Sequence, residues 1–151
     1  MATDTEVGIL QTLTTTLIDS INGYEHAAEN SENSRFEQIF RERADERREV
    51  VEDLKAAIRR LGGDPPEDGS FRGKTHQAWL DLKAAITGQD DKAIINSVEA
   101  GVDYLKEKFE SALSSDALSG EARQAVERAY QSVRQGHDQM SQLKHGLEIE
   151  S

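Results

Sequence analysis

Small and apolar residues recur along most of this chain at spacings of three and four, the mark of helices that each bury one stripe. The first stripe, Leu10, Leu13, Leu17, Ile21, Tyr24 and Ala28, predicts a helix over residues 4–29, with Thr3 or Asp4 as its cap and Glu6 in its first turn. Asn30, Ser31 and Asn33 read as a tight turn, because short polar side chains compete with helical hydrogen bonds. A second stripe, Phe36, Phe40, Val51, Leu54, Ile58 and Leu61, predicts a helix over 34–61, halted by Gly62-Gly63 and Pro65-Pro66. The middle of that stripe is basic, with Arg43 or Ala44 and then Arg47 at inward positions. Such arginines either snorkel to the rim or lie buried against a carboxylate of a neighbouring helix.

A polar loop over 62–70 leads to a shorter amphipathic helix over 72–87, with Phe71, Thr75, Trp79, Leu82 and Ile86 on one side. At roughly 22 Å for some 15 residues, it can carry the chain back along a bundle. A third long helix is expected from Asp90 or Asp91, with Ile94 or Ile95, Val98, Val102, Leu105, Phe109 and Leu113 inward. After a turn over 114–120, capped by Ser119, the fourth buries Ala122, Val126, Ala129, Val133 and Met140. Its stripe passes through His137, an ionisable group at a core position. That helix is expected to end near 146, leaving 146–151 as a frayed tail.

These elements describe a single all-α domain over 1–151: a four-helix bundle with a long crossover, holding the short helix, between helices 2 and 3. The alternative is an up-down-up-down bundle with the short helix across one end. The choice matters, because only the crossover brings Tyr24, Glu25, Arg43, Glu99 and His137 to one level, within about a turn at 1.5 Å per residue. In the simple bundle His137 sits level with Thr14 and Glu46. Gly23, Gly101 and Gly136 fall beside the layer, and an interior helical glycine costs about 1 kcal/mol, which points to close helix packing or to room for a bound group.

Composition narrows the partners. With 29 acidic and 18 basic residues and a formal charge of -11, the chain repels nucleic acid and anionic membrane surfaces. The absence of cysteine excludes disulfides and thiolate chemistry. Residues 1–16 lack the basic start and apolar run of a secretory signal, and no segment approaches a membrane span, so a cytoplasmic location is expected.

Little in the pattern points to an enzyme. The stretch 69–75 has three residues between its glycines where a phosphate-binding loop has four, and no nucleophile sits on a strand-to-helix turn. A di-iron centre of the ferritin type wants a Glu from each of two helices and Glu-x-x-His from each of the others; here Gly23, Gly73, Arg134 and Gln142 precede the four histidines by three. Two readings stay open. The layer of Tyr24, Glu25, Arg43, Arg47, Glu99 and His137 is a buried hydrogen-bonded network. Alternatively Glu25, Glu99 and His137, joined by Asp103 or Glu46 and backed by Tyr24, hold Fe, Mn or Zn in an irregular site.

The chain also resembles a bacterial family of ferritin-like four-helix-bundle proteins classed as a domain of unknown function. The likeness runs through Gly23-Tyr24, Arg60-Leu61-Gly62-Gly63-Asp64-Pro65, His76-x-x-Trp79-x-x-Leu82 with the residues to Gly88, Glu99, Tyr130 and His137-Asp138. It implies a ferritin-like fold, and so the crossover, and marks Tyr24, Glu99 and His137 as family positions. It implies no activity. The expectation is a non-catalytic structural, interaction or stress-related protein with a buried polar layer, self-associating as a homo-oligomer, with a dimer favoured. Metal binding is the alternative.

Overall fold

The computed structural model describes residues 2–66, 91–118 and 120–150, the side chains of 2, 3 and 147–150 excepted. The expected short helix over 72–87 and the Ser119 cap lie outside the described residues. Four helices are described: α1 (Ala2–Asn30), α2 (Ser34–Arg60), α3 (Asp91–Leu113) and α4 (Gly120–Glu150). α4 continues as helix past Gly146, where a frayed tail was expected.

Local chemistry sets the ends. Asn33, in extended backbone, accepts the Arg35 N–H on its side chain at 2.9 Å and so caps α2. At the other end the Gly62 N–H bonds the Arg59 carbonyl and the Gly63 N–H bonds the Ile58 carbonyl, each at 3.0 Å, a Schellman closure that needs the left-handed φ of 86° at Gly62. Gly63 is small for a different reason. A Cβ there would press into the Val7 side chain, so the chain leaving α2 lies directly on α1.

Helix directions follow from the contacts along each seam. Between α2 and α4, Arg60 meets Glu121, Asp53 meets Arg128, Glu46 meets Ser132 and Arg43 meets Gln139, so the numbers run in opposite senses. Between α3 and α4, the Leu113 carbonyl meets Arg123, Asp103 meets His137 and Glu99 meets Lys144, again antiparallel. Asp91, the first residue of α3, accepts the N–H groups of Glu32 and Asn33 at 3.0 and 3.1 Å. The start of α3 therefore lies beside the start of α2, at the opposite end from Arg60. α2 and α3 are parallel, so the end of α2 and the start of α3 lie at opposite ends of the bundle. This is the crossover topology, and the up-down alternative is excluded.

Each of α1 and α4 packs on both α2 and α3, while α1 and α4 face each other across the diagonal with few contacts. Phe40, Leu54, Leu105, Phe109, Leu17 and Met140 are among the side chains that fill the core. Among the described residues the predicted apolar stripes are buried, except that Leu61 and Leu113, at the ends of α2 and α3, are only half-buried. α1 goes further and also buries Thr14, Thr16 and Ser20, whose hydroxyls turn back to the carbonyls of Leu10, Thr12 and Leu17 at 2.7–2.9 Å. Such back-bonding removes the cost of leaving a hydroxyl unpaired in apolar surroundings. No described helix is long and apolar enough to cross a membrane.

Candidate functional site

The polar interior centres on α2. Positions 40, 44, 47, 51, 54 and 58 are all buried, so the helical period carries Arg47 into the core between Phe40 and Leu54. Its exposure is 0%, and its guanidinium carbon lies 5.8 Å from the centroid of the buried Tyr24 ring on α1. That spacing is within cation–π range. Nη2 reaches the Ser132 carbonyl of α4 at a long 3.4 Å. Nε, Nη1 and the Tyr24 hydroxyl have no hydrogen-bond partner among the described residues.

Gly136 makes this approach feasible. A Cβ at that position would fall well inside contact distance of Arg47 Nη2, at 3.3 Å from the Tyr24 hydroxyl and 3.6 Å from the guanidinium carbon. The missing side chain is the notch through which Arg47 meets the backbone of α4. Beside it, towards solvent, Arg43 donates to Gln139 Oε1 at 2.6 Å and to Glu46 Oε2 at 2.7 Å, while Glu46 Oε1 accepts the Ser132 hydroxyl. Burial raises the Tyr24 pKa above its ordinary 10.0, against the opposing pull of Arg47 and Arg43, so the phenol stays neutral. Burial also lowers that of Arg47, partly offset by Tyr24 and Glu46.

The expected layer is thus divided. Tyr24 and Arg47 meet in the core with Arg43 and Glu46 at its edge. Glu25 lies at the rim in an ion pair with Arg48. Glu99 accepts Lys144 at 3.0 Å, about two turns along α4 from His137. His137 is displaced from the core position assigned to it. Its side chain keeps 21% exposure, with Nε2 2.6 Å from Asp103, which is itself 51% exposed, and Nδ1 3.4 Å from Asp138. The buried position is Gly136, because steps of three then four from Val133 reach Met140 as well as four then three do. A pattern of apolar side chains has no means of registering a residue without one.

Of the metal ligands expected from sequence, only His137 and Asp103 come together. Glu25, Glu46 and Glu99 are each engaged by a cation elsewhere. No group of three or more His, Asp or Glu suited to a metal occurs among the described residues. What sequence reasoning missed is the Ser132, Gly136 and Gln139 face of α4. Its one signal was the cost of a glycine inside a helix, already noted but unconnected to Arg47.

Comparison with protein families matches residues 5–115 to the model of a domain of unknown function (DUF2383). No curated protein matches the chain. The matched span contains Tyr24, Arg43, Glu46 and Arg47 and stops before α4, which supplies Ser132, Gly136 and His137.

Proposed function

This chain belongs to the DUF2383 family of domains of unknown function, and on that premise we propose that it is a non-catalytic structural or interaction protein whose buried polar layer fixes the register of its helices. The observation that carries this reading is Arg47 seated against Gly136. A buried guanidinium can dock only where the opposing backbone is bare, so α2 and α4 cannot slide by one turn without driving it into a side chain. The surrounding polar groups support the same role. Arg43, Glu46, Ser132 and Gln139 spend their bonding on each other across the α2–α4 seam. The protein works by presenting a uniquely packed bundle to a partner, a second copy of itself being the favoured one.

Arg47→Met, which keeps the volume and removes the charge, tests the register claim. It should fold, and its amide NMR spectrum should show doubled or broadened resonances along α2 and α4. A single sharp set like that of the parent would overturn the proposal. Elemental analysis of protein purified without chelator, with melting curves in Fe(II), Mn(II) or Zn(II), addresses the metal alternative. The expected result is no stoichiometric metal and no shift, since specific binding raises stability by RT ln(1 + [L]/Kd).

A further inference from the structure

Among the described residues, the charge balance around Arg47 is incomplete. A guanidinium does not give up its proton in proteins, so burial cannot neutralise it as it would a lysine. Tyr24 offers a neutral ring and hydroxyl. The carboxylate in this layer, Glu46, is committed through one oxygen to Arg43 and through the other to Ser132. Two cations therefore share one anion, and the more deeply buried cation is the one without a carboxylate. Buried charge of this kind is strongly unfavourable unless paired. At the same place three donors, Arg47 Nε, Arg47 Nη1 and the Tyr24 hydroxyl, are unpartnered among the described residues and fully shielded from solvent.

We infer that the core layer of Tyr24, Arg47 and Gly136 binds one small monovalent anion of halide size against the unpartnered edges of the Arg47 guanidinium. The inference rests on the register reading above and adds a ligand to it. One negative charge brings the layer to neutrality, and a halide accepts from several N–H and O–H donors without demanding the planar geometry of a carboxylate. Halide size is set by the surroundings, since Arg47 and Tyr24 are fully buried and the space at Gly136 is already taken by Nη2. The overall charge of -11 opposes anion entry, so occupancy should rise with salt as that repulsion is screened.

The test compares thermal unfolding in chloride and in gluconate at equal ionic strength, with bromide-soaked crystals examined by anomalous scattering. The intact chain should melt about 5 °C higher at saturating chloride than in gluconate, and Arg47→Met should melt alike in both. A bromide peak should lie in contact with the guanidinium. Tyr24→Phe, which removes one donor, should show a reduced chloride effect and serves if Arg47→Met does not fold. The inference is overturned by the same chloride effect in both variants as in the parent, by no bromide at Arg47, or by a structure in which Glu46 has turned from Ser132 to Arg47. These readouts are separate from the NMR test of register, so either claim can fail alone.

Discussion

α4 presents two polar seams, and they differ in kind. Towards α2, Ser132 and Gly136 close over the Arg47 guanidinium, which is wholly removed from water, while Gln139 holds Arg43 at its edge. Towards α3, His137 and Lys144 meet Asp103 and Glu99 where solvent still reaches both partners of each pair. The residue types are similar and the energetic meaning is not. At the centre of the first seam, Arg47 has no water to replace a lost partner, although solvent does reach Arg43 and Glu46 at its edge. In the second, water does so at little cost, and exposed ion pairs contribute on the order of 0–1 kcal/mol. Proximity of charges is therefore a poor guide to importance in this bundle, and burial is a better one.

The sharpest way to break the contrast is Gly136→Val. Its side chain would occupy the space of Arg47 Nη2, and a loss of about 2–3 kcal/mol is expected in chemical denaturation. A loss below about 0.5 kcal/mol would show that the two helices are not held as closely as described. Glu46→Ala comes next. It removes the bonds to Arg43 and Ser132 and the carboxylate whose charge also reaches Arg47, for an expected cost of about 2 kcal/mol.

A smaller effect concerns alkaline pH. Because the folded pKa of Tyr24 is raised by burial, the folded chain holds this proton where the unfolded chain releases it. The associated stability is complete below the ordinary value of 10.0 and is lost as pH rises from there towards the folded value. Denaturation midpoints measured from about pH 8 to about pH 11 should fall more gently in Tyr24→Phe than in the parent. A residual slope should remain from Tyr130, whose pKa is raised by desolvation and by Glu110. The smallest effect belongs to the other seam. His137→Leu should change stability by less than about 1 kcal/mol, because Asp103 keeps its water. A loss comparable to that of Gly136→Val would erase the distinction between the seams.

Much of the fold was legible along the chain, for reasons that are local. Burying one face of a helix demands an apolar residue every three or four positions, and the stripes of all four helices met that demand openly. The end of α2 was equally open, since only glycine supplies the backbone of Gly62 without strain, and Pro65-Pro66 cannot continue a helix. Even the crossover was reachable, because lengths and connections limit how four rods can be joined.

The site was legible only in outline. Tyr24, Arg43 and Arg47 could be assigned inward by period, yet which groups they met depended on helix rotation, and a residue of rotation about α4 exchanges His137 for Gly136. Glycine leaves no mark in a hydrophobic pattern. Its meaning appears only when a neighbouring side chain occupies the space it vacates. The sequence alone determined that four amphipathic rods would pack and roughly where polar groups would interrupt them, because those demands act within a single helix. The tertiary structure decided that Arg47 is buried, that Glu46 is shared between Arg43 and Ser132, and that His137 faces a half-exposed Asp103. Those outcomes depend on rotations and offsets between helices far apart in the chain, and small changes in them decide whether a charge keeps its water.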